Sequence, residues 1–285
     1  MKDDLKKQIA DSLKKGGFPT ELKVGKVLNE RDWFNISNYI YVDKTKAISR
    51  EIDFYCVKHS NSNDFRYARF DAHLIVEVKK SEKPWAFFIQ NIQKEFGDEK
   101  VDHRTFSSVS YRNINHLIWD RLYVGFPTDN CDFNSSSYAE VFRDSEPSNI
   151  YKAIDSVTKA CFHFRTTNEI ERQKKTPKDD NGFAGDLFEP IDLQRPSLVN
   201  VFIPLVVVDA LLVKAELDNN SELSIEETSY VPFTSYYVSE FEVESSIIVN
   251  VVTLAFLPIF LKEVEDWIEL RIQGLKEARQ GKHFR

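Results

Sequence analysis

Three cysteines in 285 residues leave sulfur little to do. Cys56, Cys131 and Cys161 show neither a metal-ligand spacing nor a paired framework, which argues against a disulfide scaffold and fits a reducing compartment. Cys56 falls in an extended run and Cys161 in a helical one, as small buried apolar residues do. The histidines His59, His73, His103, His116, His163 and His283 form no His-x-x-x-His pair, so a zinc site is not expected. Glycine (9) and proline (10) are too few for a low-complexity chain. No Gly-x-x-x-x-Gly-Lys loop, Gly-x-Gly-x-x-Gly turn or Gly-x-Ser-x-Gly elbow is present, which removes phosphate-loop, dinucleotide and nucleophile-elbow chemistries.

Long uncharged apolar runs are lacking too. Leu198–Val213 is interrupted by Pro204 and Asp209, and Ile247–Leu261 by Asn250 and Pro258, so buried strands explain both better than membrane spans. Met1–Lys15 is a charged amphipathic helix rather than a signal peptide, and a cytoplasmic chain with no membrane partner is expected. Positive charge is short: 38 Lys and Arg against 45 Asp and Glu give a net charge of −7, no support for nucleic-acid binding through total charge. A local basic surface stays open. Arg172–Lys178 and Arg271–Arg285 either supply it or are a solvated loop and a tail.

What is present is apolar bulk, 42% hydrophobic with 22 Phe, 11 Tyr and 4 Trp, enough for one large core. Asp3–Lys15 and Thr20–Trp33 pattern as helices, the second with Thr20 as N-cap, Pro19 in the turn before it, and Leu22, Gly25, Val27 and Leu28 as its buried side. Phe34–Val42, Ala47–Lys58 and Phe70–Lys80 pattern as strands with short links, which predicts an antiparallel meander. Phe88, Ile92 and Phe96 are spaced for a helix over Trp85–Phe96. Asn113–Leu122 is a helix or a strand leading to Tyr123–Phe126, and Asp129–Ser137 is a polar loop. Asn149–Glu171 carries a helical apolar stripe, and Arg172–Asn181 is the candidate break.

Val199–Val208 and Leu211–Leu217 are β-branched. The run Ile203–Val208 is continuous enough for a central strand covered on both faces, with Pro204 at its start or at a bulge. Val231–Ser239 and Ser245–Leu254 add strands, and Pro258–Arg279 closes the chain as an amphipathic helix. The expectation is one α/β domain over 1–285, a central mixed sheet flanked by helices, with a helical insertion over 130–190.

The chemistry concentrates at Arg50-Glu51-Ile52-Asp53 and Glu77-Val78-Lys79. Strand alternation sends Glu77 and Lys79 to one face and Val76 and Val78 to the other. If the two strands pair, Asp53 lies beside Glu77, and two repelling carboxylates and an ammonium converge where a divalent cation would relieve the repulsion. An acid-x-Lys triplet alone says little, because it recurs at Asp4–Lys6, Glu21–Lys23 and Asp98–Lys100. Only Glu77–Lys79 ends an apolar strand run and follows a second strand bearing an acid. An edge strand with a solvated polar face is the ordinary alternative.

This arrangement resembles the PD-(D/E)xK, restriction-endonuclease-like nucleases, over roughly the first ninety residues. The resemblance implies a restriction-endonuclease-like core with additional C-terminal strands and a helix, a helix acid at Glu21, and Ile52 where proline is common. Glu51 shares a face with Asp53 and is the alternative ligand; the family position selects Asp53. It further implies a Mg2+-dependent nuclease, with Mn2+ able to substitute. Asp53, Glu77, Glu21 and the carbonyl of Val78 would serve as metal ligands, with Lys79 orienting or deprotonating the attacking water or pairing with the phosphate. Gln90 and Gln93 are weaker candidates, either of them an ordinary surface amide. The implied partner is nucleic acid, DNA first, in restriction, repair or phage defence, as a homodimer or in a larger defence complex. An RNase, or a catalytically inactive binding or assembly module on the same fold, are the alternatives.

Overall fold

The computed structural model describes residues 3–15, 17–43, 46–59, 68–91, 108–112, 133–142, 148–175, 197–218, 220–239 and 242–279. Helices α1 (Asp3–Lys15) and α2 (Phe18–Glu30) lead into strands β1 (Phe34–Asp43), β2 (Ile48–His59) and β3 (Ala68–Lys80). Then follow β4 (Trp85–Asn91), β5 (Ser108–Arg112), β6 (Phe133–Glu140) and the long helix α3 (Asn149–Lys175). Strands β7 (Ser197–Asp209), β8 (Leu212–Leu217), β9 (Leu223–Glu227), β10 (Tyr230–Ser239) and β11 (Glu242–Thr253) precede the last helix, α4 (Leu257–Arg279). The strands form one mixed sheet in the order β1-β2-β3-β7-β11-β10-β6-β4-β8-β9, with β5 added against β7.

The expected meander is there: β1 pairs antiparallel with β2, and β2 with β3. β3 then runs parallel to β7 over thirteen registered pairs, Ala68↔Ser197 to Lys80↔Asp209. Two apolar clusters cover the sheet. On one face Phe54, Cys56, Val76 and Val78 pack with Val24 and Leu28 of α2 and with Phe260, Val264 and Trp267 of α4. On the other, Ile52, Ile75, Phe202 and Val206 pack with Ile150, Ala153, Val157 and Ala160 of α3. Each fully buried Val, Leu, Ile or Phe among them contributes about 1.5–3 kcal/mol. β7 is buried without interruption from Val199 to Val208, the mark of a strand covered on both faces.

Several local expectations are corrected. Helix α2 begins at Phe18 with Gly17 as cap, so Pro19 lies in its first turn, where the missing N–H is harmless, and Thr20 is inside it and buried. Its buried side is Thr20, Val24 and Leu28, whereas Leu22 is 74% exposed. Trp85–Asn91 is a strand, because Trp85, Ala86 and Phe87 are buried in succession between β6 and β8. Phe133–Glu140 is a strand rather than the end of a polar loop. Its buried Ser135 hydroxyl lies 2.8 Å from the carbonyl oxygens of Phe88 on β4 and of Ser137 on its own strand, either of which accepts its one proton. Pro204 lies inside β7, neither at its start nor at a bulge. The β5 ladder ends at Phe202 and the β11 ladder begins at Leu205, so the missing N–H falls where the neighbouring strand changes. The Pro204 carbonyl accepts from Asn250 Nδ2 at 3.2 Å.

The stretch 130–190, read from the sequence as a helical insertion, supplies β6 to the sheet and α3 to one of its covers. Of the basic stretches, Arg172–Lys175 ends α3 and Arg271–Arg279 ends α4. The readings over 113–126, the triplet Asp98–Lys100, Gln93 and Cys131 lie outside the described residues. Among the described residues no helix is long and apolar enough to cross a membrane.

Candidate active site

Alternation along β3 places Phe70, Ala72, Leu74, Val76 and Val78 in the α2/α4 cluster. The intervening Asp71, His73, Ile75, Glu77 and Lys79 therefore belong to the α3 face. The Lys79 ammonium donates to Glu77 Oε1. The Ser156 hydroxyl of α3 donates to Glu77 Oε2 at 3.2 Å.

Asp53 sits where β2 breaks its alternation. Phe54 packs in one cluster and Ile52 in the other, although two residues apart they would share a face in a regular strand. The β1·β2 register records the same irregularity, passing from Ser37↔Phe54 to Tyr39↔Ile52 with Asn38 and Asp53 left out. Asn38 has φ 54°, a left-handed conformation that asparagine tolerates better than most residues. The β2·β3 ladder ends at Phe54↔Val76. Beyond that point the Val78 N–H bonds Asp53 Oδ2 at 2.6 Å.

Glu21 comes from the first turn of α2. The preceding residue anchors it: Thr20 Oγ1 donates to Asp209 Oδ2 at 3.0 Å, at the end of β7. Asp209 is registered with Lys80, and its carbonyl accepts the Ser81 N–H at 3.2 Å, so the helix start is fastened beside the end of β3.

Electrostatics link the four predicted residues. Burial pushes the Glu77 carboxyl up to about 7, with the Asp53 charge adding and Lys79 and Ser156 opposing. Burial raises Asp53, against the Val78 N–H and the Lys79 charge. Glu21 is raised by burial and then by Asp53 and Glu51, while Lys79 pulls it down. Glu21, Asp53, Glu77 and Lys79 are thus brought into one electrostatic neighbourhood. Glu51 is exposed and acts there only at a distance. Val78 contributes its amide hydrogen to Asp53. Gln90 lies on strand β4, not on a helix.

Behind Glu77 the buried Tyr41 donates to the Ser156 carbonyl at 3.2 Å. Next to it the buried Asp43 accepts from Arg50 Nε at 2.6 Å and lies 3.7 Å from Lys159 Nζ, which also bonds Asp155 at 2.7 Å. Sequence reasoning missed Ser156 and Asp209. The one available signal for Ser156 was a hydroxyl beside the apolar stripe Ala153, Ile154 and Val157.

Asp53 and Glu77 are suited by donor chemistry to a hard divalent cation, since both are carboxylates whose burial and mutual repulsion a cation would relieve. Yet both Glu77 oxygens are engaged, by Lys79 and Ser156, and among the described residues no three His, Cys, Asp or Glu are gathered closely enough to hold a metal. No family model, curated protein or solved structure matches the chain.

Proposed function

We propose that this chain is a metal-dependent phosphodiesterase that hydrolyses nucleic acid, DNA in the first instance, through Glu21, Asp53, Glu77 and Lys79. The observation that supports this reading is the pair of buried carboxylates Asp53 and Glu77 beside Lys79, where β2 leaves the β3 ladder, with Glu21 of α2 feeling the charges of Asp53 and Lys79. The α/β sheet with helices on both faces is compatible with a restriction-endonuclease-like core. Asp53 and Glu77 would hold magnesium or manganese, which supplies a bound water as nucleophile and neutralises phosphate charge. The Lys79 ammonium, released from Glu77, would orient that water or pair with the scissile phosphate. Glu21 would position that water or hold a second cation.

The test is cleavage of plasmid, linear duplex and single-stranded substrates with magnesium, with manganese and with EDTA. The reading expects metal-dependent cleavage, abolished by EDTA and lost in Asp53→Ala and Lys79→Ala. Undiminished cleavage by both variants, or none by the wild type under any metal, overturns it.

A second reading, a non-catalytic binding or assembly module, is favoured by the closed state of Glu77, held by Lys79 and Ser156. A manganese-induced rise in melting temperature that vanishes in Glu77→Ala separates the two in favour of a working metal site.

A further inference from the structure

An arginine stands near the candidate site, on the same face of the sheet. From Tyr39↔Ile52 to Asp43↔Ile48 the β1·β2 ladder is regular, with Tyr41 opposite Arg50. Tyr41 and Ile52 both pack in the cluster under α3. Arg50, two residues before Ile52, therefore shares the face of Glu77 and Lys79. Two residues join the positions. Ser156 Oγ donates to Glu77 Oε2 at 3.2 Å, and the Tyr41 hydroxyl donates to the Ser156 carbonyl at 3.2 Å. Burial pushes the Tyr41 phenol up to about 12, and the charges of Arg50, Asp43 and Glu77 all reach it.

The way Arg50 is held leaves its outer edge unused. Its Nε donates to Asp43 Oδ2 at 2.6 Å, and the Asp43 side chain is fully buried. Among the described residues this is the one hydrogen bond that Arg50 makes. Arg31, by contrast, gives both Nε and Nη2 to Glu265, the stronger arrangement for a pair that serves the fold. Arg50 keeps both Nη amino groups, and its side chain is 29% exposed. A carboxylate behind Nε fixes the guanidinium plane, and the N–H groups on the outer edge of that plane match two oxygens of a phosphate.

We propose that Arg50 grips a backbone phosphate of the nucleic-acid strand, next to the phosphate cut at Glu77 and Lys79. This rests on the phosphodiesterase reading and adds a substrate-binding residue to it. Arg50 touches neither the attacking water nor the bond that breaks. It fixes where the strand lies, without regard to base, because a phosphate contact carries no sequence information. The 2′-hydroxyl takes no part, so DNA and RNA share this contact.

The test is fluorescence anisotropy of labelled duplex and single-stranded oligonucleotides with the full chain in EDTA, where cleavage cannot intervene, from about 50 to 200 mM salt. Arg50→Gln should weaken binding about tenfold at the lower salt, the loss of one charge-assisted contact. For the duplex, the slope of log affinity against log salt should shrink by about 0.9, one phosphate contact. Arg50→Lys, which keeps the charge, should keep the slope. Arg50→Gln leaves Asp43 with Lys159 Nζ at 3.7 Å. The double variant Arg50→Gln with Asp43→Asn removes both charges of the pair and should bind as weakly as Arg50→Gln. Wild-type affinity and slope in Arg50→Gln, or no binding of either oligonucleotide by wild type, overturns the proposal. Recovery of binding in the double variant also overturns it, since Arg50 would then serve only to neutralise Asp43. Arg50-dependent binding without cleavage in any metal would remove the enzymatic reading alone. Metal-dependent cleavage with binding indifferent to Arg50 would remove the phosphate contact alone.

Discussion

Asp53 takes the amide hydrogen of Val78 on Oδ2 at 2.6 Å, just past the last registered pair of their strands, Phe54 and Val76. A side-chain oxygen thereby does what a backbone carbonyl does elsewhere in the ladder. The consequence is positional, since the carboxylate is pinned to the residue between Glu77 and Lys79. It also explains how a half-buried acid is tolerated there, because a buried polar group must find a partner.

This pinning separates fold from chemistry at position 53. Asp53→Asn keeps an oxygen for the Val78 N–H and removes a charge that burial disfavours. Stability in urea should change by no more than about 1 kcal/mol, toward greater stability of the metal-free protein. On the proposed reading, cleavage should fall by at least about 100-fold, as expected when a charged group acting on the transition state is lost. Denaturation curves and single-turnover rates on the same preparation check both.

Thr20 carries a similar division one residue before Glu21. Thr20→Val keeps the buried shape but removes the donor to Asp209 Oδ2. We expect a loss of about 1 kcal/mol, the usual worth of one such bond. On the proposed reading kcat should fall more than KM rises, because Glu21 is displaced while Asp53 and Glu77 keep their places. Thr20→Ser should restore kcat, and steady-state kinetics of the two variants provide the comparison.

The strands that carry the candidate site were legible because their surroundings are regular. Val76 and Val78 alternate with Glu77 and Lys79, and the sheet buries one set under α2 and α4 while the other faces α3. The partners of those residues were not legible. Ser156 reaches Glu77 across 79 positions and Asp209 reaches Thr20 across 189, and nothing local at either residue announces the contact. The broken alternation at Asp53 was equally hidden, lying opposite Asn38 with its positive φ on the neighbouring strand.

The misread elements fail for opposite reasons. Trp85, Ala86 and Phe87 are buried consecutively, so β4 has no period of two to detect, and the spacing of Phe88, Ile92 and Phe96 suggested a helix instead. Phe133–Glu140 is polar enough to pass for a loop, and becomes a strand because β4 and β10 supply backbone and hydroxyl partners, among them Thr234 for Asn134. Leu223–Glu227, an edge strand exposed along most of its length, had no burial pattern to betray it.

His73 gives the chain a predicted acid sensitivity above the carboxylate range. It is buried, accepts from the Tyr55 hydroxyl at 2.8 Å on Nδ1, donates from Nε2 to Asn200 Oδ1 at 3.3 Å, and stacks on Phe202. Burial pushes it down from 6.5 to about 4, against the Asn200 bond and the Asp71 charge. The folded state then binds fewer protons than the unfolded one between these values. The stabilising contribution is whole above pH 6.5 and is lost as pH falls toward 4, amounting to about 3 kcal/mol. Urea midpoints from pH 7 to pH 4.5 should fall accordingly. His73→Leu should be less stable at pH 7 but show a flatter slope; an unchanged slope would assign the loss elsewhere.

Glu265 governs the next window down. It fastens α4 to the end of α2 and to β2, accepting from Arg31 Nη2 at 2.7 Å and Trp33 Nε1 at 2.9 Å, with Lys58 Nζ also 2.9 Å away. Burial alone would raise its carboxyl, but the bonds from Arg31, Lys58 and Trp33 outweigh it and hold the group below its ordinary 4.5. The sign is therefore the usual acidic one: the contribution is complete above about pH 4.5 and disappears as pH falls through the lowered value. Glu265→Gln keeps one acceptor for Trp33 but loses the charge that holds Arg31 and Lys58, for an expected loss of about 2 kcal/mol at pH 7. Glu265 is only 17% exposed, so 0.5 M salt should recover little of the wild-type advantage. If salt erased the difference, the cluster would be a surface ion pair of small value, and the α2–α4 contact would rest on the apolar cluster that holds Val24, Leu28, Phe260, Val264 and Trp267.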